Sequence, residues 1–120
     1  SAVTHQNRGI VLKQMNRPAE GIAAFEKAVA LGLQPAAQVD ALFQIGRIHH
    51  DQNEPDAELA AYQRALQVDP YHYLVRKNLA FVYLKQQKWQ DAEREFTALA
   101  QYNKTDEDVI RSLRFLANRR

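Results

Sequence analysis

Cysteine is absent from this chain of 120 residues, so a disulfide framework, thiolate metal ligation and a cysteine nucleophile are excluded. That absence is silent on compartment, because a cysteine-free domain folds equally well in cytosol or periplasm. Glycine and proline are scarce, four of each, which rules out collagen-like and low-complexity readings. No stretch approaches the ~18 consecutive apolar residues that cross a bilayer. Neither sign of charge dominates. Sixteen Lys+Arg against fourteen Asp+Glu leave a net charge of +2, too small an excess for the electrostatic footprint of a nucleic-acid binder. There is no Gly-rich phosphate loop and no nucleophile elbow.

What is present favours helix. Ala, Leu, Gln, Glu, Lys and Arg are plentiful while Val, Ile and Thr are sparse. The length suits one domain or a short array of repeats, and internal similarity decides for the array. Shifting Gly46 onto Ala80, 34 residues on, brings Ile45 onto Leu79, His49 onto Tyr83, Tyr62 onto Phe96 and Ala65 onto Leu99. Shifting Gly46 back by 37 onto Gly9 brings Tyr62 onto Phe25, Ala65 onto Ala28 and Leu59 onto Ile22. The three extra residues of the longer period fall around Gly32-Leu33-Gln34-Pro35, where a loop is expected to absorb them.

Each copy reads as two amphipathic helices. In the second copy the first helix is expected at about 39–52, with Leu42, Ile45, Ile48 and His49 on one face. Asn53-Glu54-Pro55 breaks it, with Asn53 as the expected cap of the next helix and Pro55 in its first turn. That second helix, about 56–68, turns Leu59, Tyr62, Ala65 and Leu66 inward. Asn16-Arg17-Pro18 and Gln87-Lys88-Trp89 are the equivalent breaks in the other copies. Gly9, Gly46 and Ala80 are expected where two helices approach closely. Ala28 and Ala65 would do the same toward the following helix, and Phe25, Tyr62 and Phe96 would fill the remaining space. In the tail, Thr105 with Asp108 is a candidate capping box, and Val109, Ile110, Leu113 and Leu116 form one apolar stripe. Arg114 stands where a fourth repeat would need a small residue. Residues 106–118 therefore read as a terminal capping helix with a polar outer face, the device that keeps a repeat array soluble.

The period, the small residue, and the aromatic sixteen positions later resemble the tetratricopeptide repeat. Leu42, Ile45, Gly46, Tyr62, Ala65 and Asp69-Pro70 carry the likeness in the second copy. Leu79, Ala80, Tyr83, Ala92 and Phe96 carry it in the third, and Gly9, Leu12, Gly21, Phe25 and Ala28 in the first. The large first aromatic of the family pattern is replaced by His5, Leu42 and Arg76, and its small second-helix site by Glu58 in copy two. The resemblance implies an all-α fold, a right-handed superhelical solenoid. It would comprise three helix-turn-helix repeats at about 2–35, 39–70 and 73–104 plus a capping helix at about 106–118, as a single domain over 1–120.

No constellation points to catalysis, and the resemblance implies no enzyme and no cofactor. His49 and His50 are adjacent on a helix, about 100° apart, and cannot grip one metal together. Carboxylates such as Glu54, Asp56 and Glu58 read as helix starts and solvated faces. The resemblance instead implies a protein-binding scaffold whose first helices line a concave groove. The family's contact places fall on Val3, Gln6, Asn7, Ile10 and Lys13. They continue on Asp40, Phe43, Gln44, Arg47, His50 and Asp51, then on Leu74, Lys77, Asn78, Phe81, Leu84 and Lys85. Val3, Ile10, Phe43, Leu74, Phe81 and Leu84 would be apolar on a solvent-facing surface, the mark of a partner site. Asn7, Gln44 and Asn78 suit a peptide backbone, and Lys13, Arg47, Lys77 and Lys85 suit a ligand with acidic character.

The carboxylate clamp of chaperone-tail binders is not matched. Gln6 and Ile10, Gln44, and Leu74 and Asn78 stand at its places, so that ligand is disfavoured. The partner expected is thus a peptide or helix of another protein, in assembly of a larger complex, without nucleic acid or membrane insertion of this segment. Homo-oligomerisation through the same surface is the alternative, as is a fragment of a membrane-anchored secretion or complex-assembly factor. Cytoplasm and periplasm both stay open, as does a targeting or anchor segment ahead of Ser1.

Overall fold

The computed structural model describes residues 1–120 as seven helices without a strand. These are α1 (Ala2–Gln14), α2 (Pro18–Leu31), α3 (Pro35–Asp51), α4 (Pro55–Val68), α5 (Tyr73–Lys85), α6 (Trp89–Tyr102) and α7 (Glu107–Ala117). The fold is all-α: three helix pairs and a terminal helix. The chain divides into two compact units, Ser1–Pro70 and Tyr71–Arg120, each with its own core.

The three breaks inside the pairs share one geometry, and it is not the expected one. Asn53 does not cap α4; it closes α3. Its φ is +57°, in the left-handed region, as are Asn16 at +56° and Gln87 at +61°. In each case the N–H of that residue and of the next turn back onto the helix just ended: Asn53 to His50 and Glu54 to His49, Asn16 to Lys13 and Arg17 to Leu12, Gln87 to Leu84 and Lys88 to Tyr83. This paired bonding satisfies the last carbonyls of a helix. The three closures stand 37 and 34 residues apart, the same periods as the small residues. Pro18, Pro35 and Pro55 then open α2, α3 and α4 from the first helical position, where a missing N–H costs nothing. The longer first period is absorbed differently from expectation. Only Gly32–Gln34 is left as loop, and α3 begins at Pro35 with 17 residues against 13 in α1, so the insertion becomes an added helical turn.

Packing follows the small-against-large rule. In the first unit Phe25 and Tyr62 are fully buried, and Gly9 and Gly46 lie directly against their rings. In the second unit Phe96, Leu99, Ala80, Ala92 and Val109 form the core, with Leu116 of α7 closing it. Arg76, at a place where the family has an aromatic, instead lays its guanidinium on Glu95 of α6 with Nη1 2.8 and 3.1 Å from the two carboxylate oxygens. At the end of the chain Arg119 stacks 4.0 Å above the Trp89 ring, and Arg120 pairs with Glu93.

The cap of α7 is Asp106, not Thr105. Asp106 Oδ1 accepts the N–H groups of Asp108 and Val109, while Thr105 bonds back to Asn103 Oδ1. Asp106 also receives the Tyr73 hydroxyl at 2.8 Å and Lys77 Nζ at 2.9 Å, so one carboxylate fastens α7 to α5. Partial burial pushes the Asp106 pKa up, but Lys77, Tyr73 and the Val109 N–H outweigh it and hold the carboxyl below the ordinary 3.8. A depressed folded pKa means the contribution is complete above the unfolded value and is lost as pH falls through the folded one. Asp106→Ala is expected to cost about 1–2 kcal/mol, and Asp106→Asn less, because Asn keeps the cap. Acidification to below the ordinary carboxylate range should loosen α7 before the other helices. Amide exchange at Val109 followed against pH checks this; unchanged protection in Asp106→Ala would refute it.

Candidate functional site

In the first unit, side chains tie the exposed faces of α1 and α3 together. Lys13 Nζ donates to Gln44 Oε1 at 2.6 Å, and Gln6 Nε2 donates to the Ala37 carbonyl at 3.4 Å. Of the residues expected on this face, Val3 is 59% exposed and Asn7 and Asp40 are open, while Gln6, Ile10, Lys13, Phe43, Gln44 and Arg47 are half-buried. Phe43 is therefore not a free ring. It rests on Tyr62 at 5.8 Å between centroids, inclined at 30°.

Beneath this face lies a charged cluster that the sequence did not announce. Glu58 is only 4% exposed, so it is neither on a solvated face nor an idle substitute for a small residue. Its Oε2 accepts the Tyr62 hydroxyl at 2.8 Å and lies 3.1 Å from His50 Nδ1. Arg47 bonds the same Tyr62 oxygen. A buried carboxylate needs such partners, since an unpaired charge out of water is costly. Burial first, then the hydrogen bond to Glu58 and its charge, push the Tyr62 phenol well above its usual range, with Arg47 pulling the other way. His49, on the next position, turns its Nδ1 to Glu54 at 3.0 Å.

In the second unit α5 carries the remaining expected residues. Leu74 is 49% exposed and Lys85 is open, whereas Lys77, Asn78, Phe81 and Leu84 are half-buried. Phe81 meets Phe96 edge-on at 5.2 Å. Asn78 Nδ2 donates to the Leu74 carbonyl of its own helix. Lys77 was expected to offer positive charge to a ligand. It is instead held by Asp106 and by Asp108 at 3.1 Å, so its charge is already matched. Taken unit by unit, the apolar residues are less open than expected: Val3 is exposed in the first and Leu74 in the second, while Phe43 and Phe81 are half-buried. Sequence reasoning also missed Val11 and Met15, both largely exposed on α1. Their signal was there, as apolar residues four and eight positions after Asn7.

No group of three or more His, Asp or Glu side chains comes together as a metal site, and no helix is long and apolar enough to cross a membrane.

Two family profiles, both described as tetratricopeptide repeat, match the sequence at residues 7–73 and 50–114. No curated protein matches it. Solved structures share the fold at low identity. A tetratricopeptide repeat protein from Parabacteroides merdae superposes with a TM-score of 0.88 at 14% identity, over 96% of this chain and 45% of that one. MamA from Desulfovibrio magneticus superposes with a TM-score of 0.84 at 15% identity, over 98% and 64%. The second such domain of human RPAP3, solved with an HSP70 peptide, gives 0.76 at 10% identity, over 97% and 94%. The chain thus spans less than half of the first of these proteins and under two thirds of the second.

Proposed function

Because the chain belongs to the tetratricopeptide-repeat family, a family of protein-interaction modules generally without catalysis of their own, we propose that it is a non-enzymatic scaffold. It binds a peptide or helical segment of a partner protein on the exposed faces of its first helices, in the assembly of a larger complex. The observation that carries this reading is the α1/α3 face of the first unit. There Val3 and Asn7 of α1 are exposed and Phe43 of α3 is half-buried, and the same two helices carry Lys13, held by Gln44, Arg47, and His50, held by Glu58. Apolar anchors flanked by fixed polar groups are what a peptide groove needs. Structural neighbours solved with bound peptides, such as the RPAP3 domain with its HSP70 peptide, support the class of ligand. They do not supply the ligand's sequence. The clamp places of chaperone-tail binders are held here by Gln6, Ile10, Gln44, Leu74 and Asn78, and Gln6 is engaged with the Ala37 carbonyl, so a chaperone tail remains a poor fit.

A peptide library displayed on phage and panned on the chain tests the proposal. Selected peptides are expected to lose about tenfold in affinity, near 1.4 kcal/mol, on Val3→Glu, and again on Phe43→Ala. Arg47→Glu should weaken those peptides that carry acids. Phe43→Ala will also lower stability, by about 1 kcal/mol for a half-buried ring, so helicity is measured alongside. Peptides whose binding is indifferent to Val3→Glu and Phe43→Ala would remove the proposal.

A further inference from the structure

Within the first unit, the α1/α3 face ends in a socket. It lies where α1 and α3 both finish and α2 begins, and its volume is about 100 Å³. Pro18 of α2 and the buried Ile48 of α3 give it apolar walls, and Asn16, Asp51 and Gln52 a polar edge. Pockets for whole small ligands run to about 300–1,000 Å³, so this one suits a single side chain.

Its charge is unbalanced. Asp51 is exposed and has no ion-pair partner. It is the last residue of α3, so its carboxylate adds to the negative pole of that helix. Pro18, which opens α2 here, has no N–H to offer an anion. Lys13 is the one cation among the lining side chains, and its ammonium is drawn to Gln44 Oε1 at 2.6 Å. Gln44 stands seven residues before Asp51, about 10 Å along α3. The fold itself does not ask for an acid at this place. The 37-residue shift that carries Gly46 to Gly9 carries Asp51 to Gln14, and the 34-residue shift carries it to Lys85. The three copies thus hold a neutral, an acidic and a basic side chain at one exposed position, so helix packing does not set it.

We propose that the socket takes a basic side chain of the segment bound on the α1/α3 face. The aliphatic stem of that lysine or arginine lies on Pro18 and Ile48, and its charge meets Asp51, as long cations cover apolar surface while the head stays in water. The proposal rests on that face being the peptide-binding surface, and it extends the ligand's pattern. An acid faces Lys13 and Arg47, and a base lies beyond it at the end of α3. Charge complementarity then fixes which way the segment lies on the face.

The probes are peptides panned from a phage library on the unaltered chain and kept if Val3→Glu weakens their binding. They are expected to carry a lysine or arginine whose replacement by alanine costs about tenfold in affinity. Norleucine in its place keeps a stem and should cost about threefold, the size of an exposed ion pair. Against Asp51→Asn, the basic peptide and its norleucine form should bind alike. Against Asp51→Lys, the peptide with glutamate at that position should bind better than the basic one, an exchange that a folding defect cannot produce. Lysine already stands at the equivalent place in the third copy, at Lys85, and circular dichroism of the variant verifies its fold. Peptides that need Val3 but have no basic position sensitive to Asp51 overturn the socket and leave the peptide face standing. A library that yields no peptide needing Val3 removes the face, and the socket with it.

Discussion

Gly46→Ala is expected to lower the stability of the first unit by about 3 kcal/mol, at the upper end of overpacking costs. A Cβ on Gly46 would stand 2.6 Å from Tyr62 Cδ1 and closer still to Cε1. The ring has no room to retreat. Tyr62 is completely buried, Phe43 lies on it, and its hydroxyl is held by Glu58 and Arg47. Any shift of the ring to relieve the clash would also withdraw a hydrogen bond from a buried carboxylate, a separate cost of about 1–3 kcal/mol. Gly9→Ala is the milder counterpart. There the added carbon would lie 2.9 Å from three atoms of the Phe25 ring, which has no polar tether, so about 1–2 kcal/mol is expected. Gly32→Ala meets nothing within 4 Å but sits at φ +96°, a backbone cost of about 1 kcal/mol. Urea denaturation of the three variants should rank them in that order. A Gly46→Ala protein as stable as the Gly32→Ala protein would show that α3 and the Tyr62 ring are not in close approach.

That ranking also explains what was legible from the residues alone. A glycine or alanine facing an aromatic of the paired helix is a steric requirement of the repeat, so Gly9, Gly46 and Ala80, and with them Phe25, Tyr62 and Phe96, could be placed from spacing. The family pattern and the seven helices followed. What was not legible depends on partners brought from other helices. Asn53 at the end of α3 and at the start of α4 looks the same in sequence; only the backbone bonds to His50 and His49 decide for closure. Asp106 and Thr105 both offer a capping oxygen, and Asp106 takes the role because Lys77 and Tyr73 already hold it. Glu58 looked like a solvated helix start, since neither Tyr62 four positions on nor His50 eight positions back declares by itself that its side chain turns inward. Lys77 looked available for the same reason, its two acids lying 29 and 31 residues away. Contacts local in sequence were readable; charge pairing across helices was not.

The other large effect is expected in the second unit. Phe96→Ala should cost about 3–5 kcal/mol, the range for removing a fully buried aromatic. Phe96 is completely buried, with Ala80, Ala92, Leu99, Val109 and Leu116 in the same core. Two of these neighbours are already alanine, so the surroundings have little side chain with which to fill the hole. Phe81 loses the ring that it meets edge-on at 5.2 Å, a contact worth about 0.5–1.5 kcal/mol beyond area alone. In a repeat array stability is a sum of local and nearest-neighbour contributions. Amide exchange should therefore show protection falling throughout α5, α6 and α7, with α1 and α2 little changed. The double variant Phe81→Ala with Phe96→Ala closes the cycle. If Phe81 is partly core, the two losses will not add, and the coupling will match the aromatic contact. If they add to within about 0.3 kcal/mol, the Phe81 ring owes nothing to Phe96. Its exposed side alone would then define what α5 offers to a ligand.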